Sequence, residues 1–387
     1  MTVTTQQAEC SARGEGRLLM AIELGRRQWK LGFTTGVGQR PRRRTVSTHA
    51  WDRVREEIAA AKIRLQVPAD APVVSCYEAG RDGFWVHRYL TTLGVTNLVV
   101  DSSSIEVSRR ARRAKTDRID VEKLLAMLLR YVDGEASVWR VVRVPSEADE
   151  ERRQLHRELE ALKRDRARVT NRITGLLATV GILRKVDTRF AEEFDQVTQW
   201  NGEPIPVGLR ARVAREWQKV HLMTLQIREL ERARRAALQE SHEAAVALVR
   251  RLLALRGIGE TAAWLFVMEL FAWRTFRNRR EVGSITGLVG TPYKSGLLDH
   301  EQGISKAGNR RVRTIAIQIA WGWLMYQPQS GLTQWYTRRF AQGGPRARKI
   351  GIVAVARRLV IDLWRYLDAG VIPDGAVFKA TSGAATG

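Results

Sequence analysis

The sequence predicts an α/β domain that is followed by a long region made only of helices. Three observations lead to this fold class. Up to about residue 130, short apolar runs typical of strands alternate with segments of helical spacing. From Pro145 onward the periodicity is helical only, and charged residues alternate densely. The order of the first part, three strands and then alternating helices and strands, is typical of an α/β domain.

The elements of the predicted α/β domain can be read in order along the chain. Gly25 marks the turn between the first two strands. Because the strands of such a sheet gather ligands at one edge, acidic residues at strand ends are informative. The predicted elements are the strands LLMAIEL, QWKLGF and RRTVST, a helix over 51–65, the strand PVVSCYE, a helix over 83–93, the strand TNLVVDS and a helix that opens at Asp117.

Two long amphipathic helices are predicted next, separated by the stretch NGEPIPVG. Their apolar residues recur at steps of four and three, which is the pattern of a heptad seam. We therefore predict an antiparallel coiled-coil hairpin. Two ordinary bundle helices, or pairing between subunits through the same seam, are the alternatives. The seam positions are Leu155, Leu159, Leu162, Val169, Ile173, Leu176 and Val180, and in the second helix Val213, Trp217, Val220, Met223, Ile227 and Leu230.

A third region, rich in Gly and Trp, starts near Leu252 and ends near Leu367. The segment after it, VIPDGAVFKATSGAATG, is predicted to be a flexible tail. These changes of pattern divide the chain into the α/β domain (1–144), the helical hairpin (145–250), a mainly helical C-terminal domain (251–370) and the tail (371–387).

The composition indicates a polyanion as the partner. The chain has 387 residues, with 54 arginines, 11 lysines and a formal net charge of +24. Arginine pairs bidentately with phosphate and stacks on bases, so nucleic acid is the expected ligand. With 44% hydrophobic residues the chain is too apolar for a disordered basic tail. The charge therefore belongs to a folded protein.

Other protein classes are excluded by simple counts. The two cysteines, Cys10 and Cys76, exclude a disulfide framework and a Cys-rich zinc module. The first residues show no secretory signal. The most apolar window, 262–273, is far shorter than a membrane span and contains Glu269. We expect a protein that acts in the cytoplasm without contacting a membrane.

Four carboxylates stand out by their placement at predicted element ends. A lone carboxylate in a buried strand, such as Glu23, is costly unless it is paired or binds a metal. Carboxylates that converge at a sheet edge predict a site for Mg²⁺ or Mn²⁺ that assists phosphodiester transfer. Capping of the helix by Asp117 is the alternative. The four are Glu23, Glu78, Asp117 and Asp120, the last two on one face of a helix.

A basic run directly precedes Asp117. Such a run is commonly a solvated loop, but this one adjoins the predicted metal site, where a phosphate backbone has to lie. We therefore predict nucleic-acid contacts for Arg109, Arg110, Arg112, Arg113 and Lys115.

A glycine-containing turn in the C-terminal domain predicts a second contact with nucleic acid. Gly257 and Gly259 form the Gly-Ile-Gly turn of a helix-hairpin-helix. The glycines permit close approach of the backbone, and the N-terminus of the following helix can hold a phosphate. A plain tight turn between two helices is the alternative.

The stretch 290–303 is predicted to be a loop, in which Ser295 follows Lys294. A hydroxyl on such a loop, facing a cationic helix start, is placed to attack phosphorus. Most Ser-Gly pairs in loops are plain turns, and Ser284 and Ser305 are nearby alternatives. The polar and cationic residues that follow the loop are Lys306, Asn309, Arg310, Arg311 and Arg313.

Three of these features together resemble a known family. The strand-end Glu78, the helix start KTDRID and the run GISKAGNRRVR resemble the IS110-type transposases, the DEDD recombinases of IS110 and IS1111 elements. The resemblance extends in order over nearly the whole chain. It implies a RuvC-like N-terminal domain of RNase H fold, whose Mg²⁺ (or Mn²⁺) ligands are Glu23, Glu78, Asp117 and Asp120. Glu23 departs from the family's usual Asp, which places its carboxylate one methylene further out.

The resemblance also implies a reaction and its partners. Ser295 matches the serine that family members carry before a Gly-Ile-x-Lys-x-Gly-Asn run and use as nucleophile. A phosphoserine–DNA link is thus expected during Mg²⁺-dependent strand cleavage and exchange. The expected partners are DNA of the element ends and target, a bridge RNA encoded by the element, and further copies of the chain in a dimer or tetramer. The expected location is the bacterial cytoplasm, in association with the nucleoid.

Two other functions fit the same residues. A hydrolytic nuclease of the Holliday-junction resolvase class uses the four acids and water, and leaves DNA with free ends whether or not Ser295 is present. A noncatalytic nucleic-acid scaffold uses the acids only to cap helices or to pair with arginine. Its binding then requires no metal.

Overall fold

The chain folds as two units, Met1–Val144 and Pro145–Gly387. The computed structural model describes residues 16–80, 83–105, 117–187, 189–295 and 298–380. Each unit contains an apolar core of its own.

A mixed five-stranded sheet forms the centre of the first unit. Its elements are β1 (Leu18–Leu24), β2 (Gln28–Thr34), β3 (Arg42–Ser47), α1 (Trp51–Arg64), β4 (Val73–Glu78), α2 (Trp85–Thr92), β5 (Thr96–Val100) and α3 (Asp117–Val132). The strand order is β3-β2-β1-β4-β5, with β1, β4 and β5 parallel and β2 antiparallel to both its neighbours. The predicted strands and helices are confirmed. The sheet is compatible with the RNase H-like fold, which stays a prediction.

Strand alternation divides the core of this unit between the two faces of the sheet. Leu19 and Ala21 of β1, together with Val74 and Cys76 of β4, pack against α3. The intervening residues of β1, such as Met20, pack against α1 and α2 on the other face. Continued to the strand ends, this alternation places the acidic residues of β1 and β4 on the α3 face.

Helices form most of the described part of the second unit, and one β-hairpin is inserted among them. The helices are α4 (Glu147–Ala178), α5 (Phe190–Glu193), α6 (Val207–Glu240), α7 (Ala244–Ala254), α8 (Glu260–Phe266), α9 (Arg279–Thr286), α10 (Arg310–Tyr326), α11 (Gly331–Tyr336) and α12 (Pro345–Ala369), and the strands are β6 (Gly290–Ser295) and β7 (Leu298–Ile304). The π-helical segments Val267–Phe271 and Thr337–Ala341 continue α8 and α11. No helix in the described ranges is long and apolar enough to cross a membrane.

The two long helices α4 and α6 lie antiparallel to each other. The Nζ of Lys163 is 2.6 Å from a carboxylate oxygen of Glu231, and Arg172 donates to Glu216 at 2.9 Å. Residue numbers thus rise along one helix as they fall along the other. Ser146 caps the start of α4 through a capping box. The antiparallel pairing agrees with the sequence analysis, whereas heptad supercoiling stays a prediction.

The stretch predicted to be a loop between 290 and 303 is a β-hairpin instead. β6 and β7 pair antiparallel, and Ser295 opposite Leu298 is the last pair of this register. Near the base, Thr291 Oγ1 donates to the carbonyl of Gly303 at 3.0 Å. The glycines and the proline of this stretch favoured a loop. Pairing across the hairpin supplies its backbone groups with the partners that a loop would take from water.

The C-terminal segment up to residue 380 packs on the second unit. The amide of Arg256 donates to the Val377 carbonyl at 3.0 Å, and the amide of Lys379 donates to the Ala254 carbonyl at 2.7 Å. The prediction of a flexible tail is therefore wrong up to residue 380, and the residues after it lie outside the described part of the chain. Backbone groups in the turn after α7 have no partners within a helix. The C-terminal segment supplies hydrogen-bond partners for them.

Candidate active site and nucleic-acid contacts

Two of the predicted metal ligands lie side by side at one edge of the five-stranded sheet. The parallel register pairs Ile22 of β1 with Tyr77 of β4, so Glu23 and Glu78 are the next residues on adjacent strands. By alternation both lie on the face that α3 covers. Glu78 is exposed, and Glu23 is half-buried, which is less burial than the sequence predicts.

The other two predicted ligands belong to the first turn of α3. Asp117 is its first residue, and Asp120 follows one turn later. The helix lies close to the sheet, because a Cβ on Gly32 of β2 would be 3.5 Å from a methyl group of Val121. The side chains of Asp117 and Asp120 lie outside the described part of the structure. Convergence of the four carboxylates stays a prediction.

The same sheet edge carries two further charged residues, which were not predicted as site residues. Lys30 of β2 is directly opposite Glu23 in the register, so its ammonium group is an alternative to a metal as the partner of Glu23. Asp101 follows β5, whose last residue Val100 pairs with Glu78, and is half-buried. In the sequence it is visible as the acid directly after the apolar run of the strand TNLVVDS. Within the described residues, no three His, Cys, Asp or Glu side chains are grouped to hold a metal ion.

Several predicted contacts lie outside the described residues or side chains. Lys294 and Ser295 are the last two residues of β6, and only their backbone is described. Ser295 is thus the last residue of a paired strand. The basic run of Arg109, Arg110, Arg112, Arg113 and Lys115 lies wholly outside the described residues.

The base of this hairpin is held by backbone hydrogen bonds to the end of α9 and the residues after it. These bonds place the run that follows β7 against a fixed neighbour. The amides of Ser305, Lys306 and Asn309 donate to the carbonyls of Val289, Gly287 and Ile285 at 2.8, 3.0 and 2.8 Å.

Two glycines of the hairpin region test how closely its base is packed. Gly308 and Gly303 have nearly the same φ, 98° and 99°. A Cβ on Gly308 would lie 2.2 Å from the Ile285 carbonyl oxygen, whereas a Cβ on Gly303 would meet nothing within 4 Å. We expect Gly308→Ala to lower the free energy of unfolding by about 2 kcal/mol more than Gly303→Ala. Alanine is strained by the left-handed φ at both positions, but only at 308 does its Cβ also displace the backbone of Ile285. Urea unfolding measures the difference, and equal midpoints would contradict close packing here.

Asn309 connects the hairpin to the core of the second unit. Its side-chain oxygen accepts hydrogen bonds from the amides of Arg311 and Val312 and so caps α10. Its Nδ2 donates to Oε2 of Glu269 at 3.1 Å. Both polar atoms of this predicted nucleic-acid contact are therefore bonded within the protein.

Glu269 is the centre of a buried polar cluster, the Glu269 cluster, formed with His156, Arg157 and Asn309. Nε2 of His156 lies 2.9 Å from Oε1, and Arg157 donates to the two carboxylate oxygens at 2.7 and 2.9 Å. The carboxylate is 1% exposed. Burial by itself raises the pKa of Glu269, but hydrogen bonds from His156 and Arg157 outweigh it and hold the pKa far below its usual range. The lowered pKa means that the ionised carboxylate stabilises the folded state at neutral pH. This stabilisation is lost only as the pH falls through the strongly acid range.

Removal of the Glu269 carboxylate is expected to destabilise the second unit strongly. Glu269→Ala leaves His156 and Arg157 without their acceptor, and deleting one partner of a buried ion pair costs about 3 kcal/mol or more. Glu160→Gln is the matched control, because its partner Arg311 is 40% exposed and such pairs contribute at most about 1 kcal/mol. Urea unfolding compares the two variants. Similar losses in both would contradict the central role of Glu269.

The cationic residues around α10 have different environments. Arg311 donates from Nε to Glu160 at 2.9 Å, and Arg313 donates from Nη1 to the Lys306 carbonyl at 2.9 Å. Their predicted contacts with nucleic acid therefore compete with bonds inside the protein. Arg310 and Lys306 are exposed, and the described residues form no hydrogen bond or ion pair with their side chains. These two cations are available for a phosphate.

The Gly-Ile-Gly turn joins α7 to α8. Gly257 has a φ of 88°, and a Cβ there would lie 3.3 Å from Cβ of Tyr326. Gly259 is the residue before α8 and has open space around it. Lys379 Nζ donates to the Ile258 carbonyl at 2.8 Å, so the C-terminal segment supports the turn. The two helices and their turn agree with the sequence analysis, and contact with nucleic acid stays a prediction.

Comparisons with known proteins agree on one family. The family described as "Transposase IS116/IS110/IS902 family" matches residues 249–335, which include the hairpin, Glu269 and Asn309. The chain is 39% identical to "Putative transposase y4rJ" of Sinorhizobium fredii (strain NBRC 101917 / NGR234), over 94% of this chain and 95% of that protein. It is 30% identical to "Putative transposase y4qE" of the same organism, over 76% and 74%. It is 27% identical to "Transposase for insertion sequence element IS1328" of Yersinia enterocolitica, over 56% and 63%.

Proposed function

Since the chain belongs to the IS116/IS110/IS902 family of transposases, we propose that it cleaves and exchanges DNA strands through a phosphoserine intermediate on Ser295. The predicted resemblance to IS110-type transposases is confirmed by this membership. The proposal includes Mg²⁺ or Mn²⁺ as the cofactor and the ends and target of a mobile element as the DNA.

The observation that most supports this chemistry is the pairing of two acids at the sheet edge. Glu23 and Glu78 follow a registered pair on adjacent parallel strands, about 4.8 Å apart. The helix that opens at Asp117 covers the same face. Two adjacent carboxylates repel each other unless positive charge neutralises them. Lys30 is opposite Glu23 alone in the register, whereas a divalent ion can neutralise both acids.

The set of donor atoms suits a hard divalent cation. The proposed ligands Glu23, Glu78, Asp117 and Asp120 all offer carboxylate oxygens, which Mg²⁺ prefers. When bound, Mg²⁺ supplies positive charge that stabilises the phosphodiester oxygens during displacement. Asp101 adds negative charge at the same edge, but alternation along β5 does not place it on the α3 face.

Ser295 forms one bond and breaks one in the proposed reaction. Its Oγ attacks phosphorus, the Oγ–P bond forms, and one ester P–O bond of the DNA breaks. The serine hydroxyl loses its proton, and the departing DNA oxygen gains a proton to become a hydroxyl. Attack by the hydroxyl of another strand on the phosphoserine reverses these changes and joins that strand. The number of phosphate ester bonds is conserved, so the exchange requires no external energy source.

The proposal also includes a bridge RNA and a homo-oligomer, either a dimer or a tetramer. An arginine-rich chain with a net charge of +24 suits a protein that holds nucleic acid by its backbone while base pairing carries the sequence information. Sequencing of RNA that copurifies with the protein, and mass photometry of the complex, test these two partners.

A covalent trap tests the reaction. The protein is co-expressed with the DNA that flanks its gene, so that any cognate RNA is made. Labelled element-junction and target DNA are then added with Mg²⁺ or with EDTA, and the products are separated on a denaturing gel. We expect a protease-sensitive, protein-linked DNA band that forms with Mg²⁺ and is absent in EDTA. Cleaved DNA with free ends would support the hydrolytic nuclease instead, and bound but uncleaved DNA would support the scaffold.

A further inference from the structure

Five aromatic rings form a connected group in the first unit, here called the aromatic cluster. Trp51 stacks on Tyr89 with ring centroids 4.0 Å apart. His49 stacks on Trp85 at 4.7 Å, with an interplanar angle of 12°. Trp29 joins the two pairs, with its centroid 4.9 Å from that of Trp51 and 5.8 Å from that of Trp85.

The aromatic cluster is buried on one side and open on the other. Trp29 is 1% exposed and belongs to the core of the unit. Trp51, Trp85 and Tyr89 are only half-buried, and His49 is exposed. The stacked pair of His49 and Trp85 is therefore accessible at the surface. An accessible aromatic ring offers a surface on which a flat ligand can stack.

The backbone holds His49 in an unfavourable conformation. Its φ is 67°, in the left-handed region, which costs about 1 kcal/mol or more for a residue with a Cβ. The preceding Thr48 fixes this geometry, because its amide donates to the Arg27 carbonyl at 3.0 Å and its hydroxyl donates to the Gly25 carbonyl at 3.2 Å. Local strain that the surrounding structure maintains is concentrated at functional positions.

The aromatic cluster lies at the same edge of the sheet as the two acids. Trp29 pairs with Leu24, the residue that follows Glu23 in β1. Trp29 packs on the side of α1 and α2, whereas Glu23 and Glu78 lie on the α3 side. A strand of nucleic acid that crosses this edge therefore meets the acids on one face and the rings on the other.

The turn between β1 and β2 supplies positive charge at this edge. Arg26 and Arg27 are both exposed. Among the residues that the structure describes, none forms a hydrogen bond or ion pair with either guanidinium. Two available guanidinium groups beside stacked aromatic rings match the way proteins hold a single strand, with the cations on the phosphates and the rings on the bases.

We propose that the aromatic cluster binds an unpaired nucleobase, which stacks with His49 and Trp85 while Arg26 and Arg27 hold the neighbouring phosphates. The inference rests on the proposed function, because strand exchange leaves unpaired bases beside the cleaved phosphate. DNA and RNA strands offer the same base surface for stacking. The experiment distinguishes them.

Photo-crosslinking of the full-length protein tests the site directly. Single-stranded DNA and single-stranded RNA of one sequence, each carrying 5-iodouracil, are irradiated with the protein, and the modified residue is located by mass spectrometry. We expect the crosslink at His49 or Trp85. A stronger crosslink to one of the two strands identifies the natural ligand. Crosslinks confined to the second unit with both strands would overturn the proposal.

Binding measurements with matched variants provide the second test. His49→Asn removes the ring and keeps a residue that tolerates a left-handed backbone. We expect it to weaken binding of the single strand about tenfold, the change typical of losing one base–aromatic stack, and to leave duplex binding within about twofold. Trp85→Phe keeps a ring and retains most of the affinity. Trp200→Leu, which removes a tryptophan that is 80% exposed in the second unit, is the control and leaves affinity unchanged.

The outcomes separate this inference from the proposed function. Unchanged single-strand affinity in His49→Asn, or an equal loss for duplex and single strand, would overturn the nucleobase site. The protein-linked DNA band of the covalent trap does not depend on this result. If that band forms with the wild-type protein while the crosslink is absent, only the nucleobase site fails. If the crosslink forms at His49 or Trp85 and the band is absent, only the proposed chemistry fails.

Discussion

Replacement of Ser295 by alanine is expected to abolish the protein-linked DNA band completely. The proposed link is an ester between the serine Oγ and a DNA phosphate, and alanine has no oxygen to form it. Binding of DNA is expected to persist, because the cationic residues around α10 are unchanged. The measurement is the covalent trap on a denaturing gel, with a filter-binding assay on the same preparation.

Two neighbouring serines provide the controls for this variant. Ser305 is exposed beyond the end of β7, and Ser284 lies in α9. Ser305→Ala and Ser284→Ala should both retain the linked band. Loss of the band in one of them, with retention in Ser295→Ala, would assign the nucleophile to that serine. Free DNA ends in every variant would indicate hydrolysis by water.

Replacement of Glu78 by glutamine is expected to reduce metal-dependent cleavage about a thousandfold. Glutamine keeps the size and one oxygen of glutamate but removes the negative charge that the proposed cation requires. Charge stabilisation by a metal amounts to several kcal/mol, and each 1.4 kcal/mol corresponds to a factor of ten in rate. Single-turnover cleavage over a range of Mg²⁺ concentrations measures the effect.

A surface glutamate serves as the control for charge removal. Glu56 pairs with Arg53 on α1 and is 58% exposed, so Glu56→Gln should leave cleavage unchanged. Glu23→Asp tests the departure from the family's usual residue and should retain metal-dependent cleavage, whereas Glu23→Gln should lose it. If Glu23→Gln and Glu78→Gln both cleave at the wild-type rate, the carboxylate site is refuted.

Local pattern predicted the first unit well because its elements are short and regular. The alternation in LLMAIEL and the apolar run in PVVSCYE specify strands, and the gathering of strand ends in an α/β sheet predicted that Glu23 and Glu78 share one edge. The register that places them side by side comes from the structure. The long helices were predicted by the same reasoning. Their seam differs at three positions, where the neighbour of the predicted residue is the buried one. The buried residues are His156, Leu177 and Glu216, and the residues predicted there, Leu155, Leu176 and Trp217, are only half-buried. A heptad assignment shifts by one residue when the helix follows 3.6 residues per turn.

Contacts between residues far apart in the chain could not be predicted from local sequence patterns. Glu269 had a signal, a single acid in an apolar window, but its partner Arg157 lies 112 residues earlier in the chain. The aromatic cluster joins residues from three separate parts of the first unit, and each tryptophan alone is ordinary. The sequence of the hairpin that carries Ser295 is typical of a loop, because neither β6 nor β7 has a strong strand pattern of its own. Each strand is formed by pairing with the other.

By itself the sequence determined the family, the order of strands and helices and the candidate acids, because periodicity and short motifs are local properties of the chain. Only the tertiary structure decided that Asn309 is bonded to Glu269, that the C-terminal segment to residue 380 packs on the turn after α7, and that Ser295 ends a paired strand. These features consist of hydrogen bonds and burial between residues far apart in sequence. In these features, hydrogen bonds within the folded chain offset the cost of removing polar groups from water, and no local pattern encodes the partners.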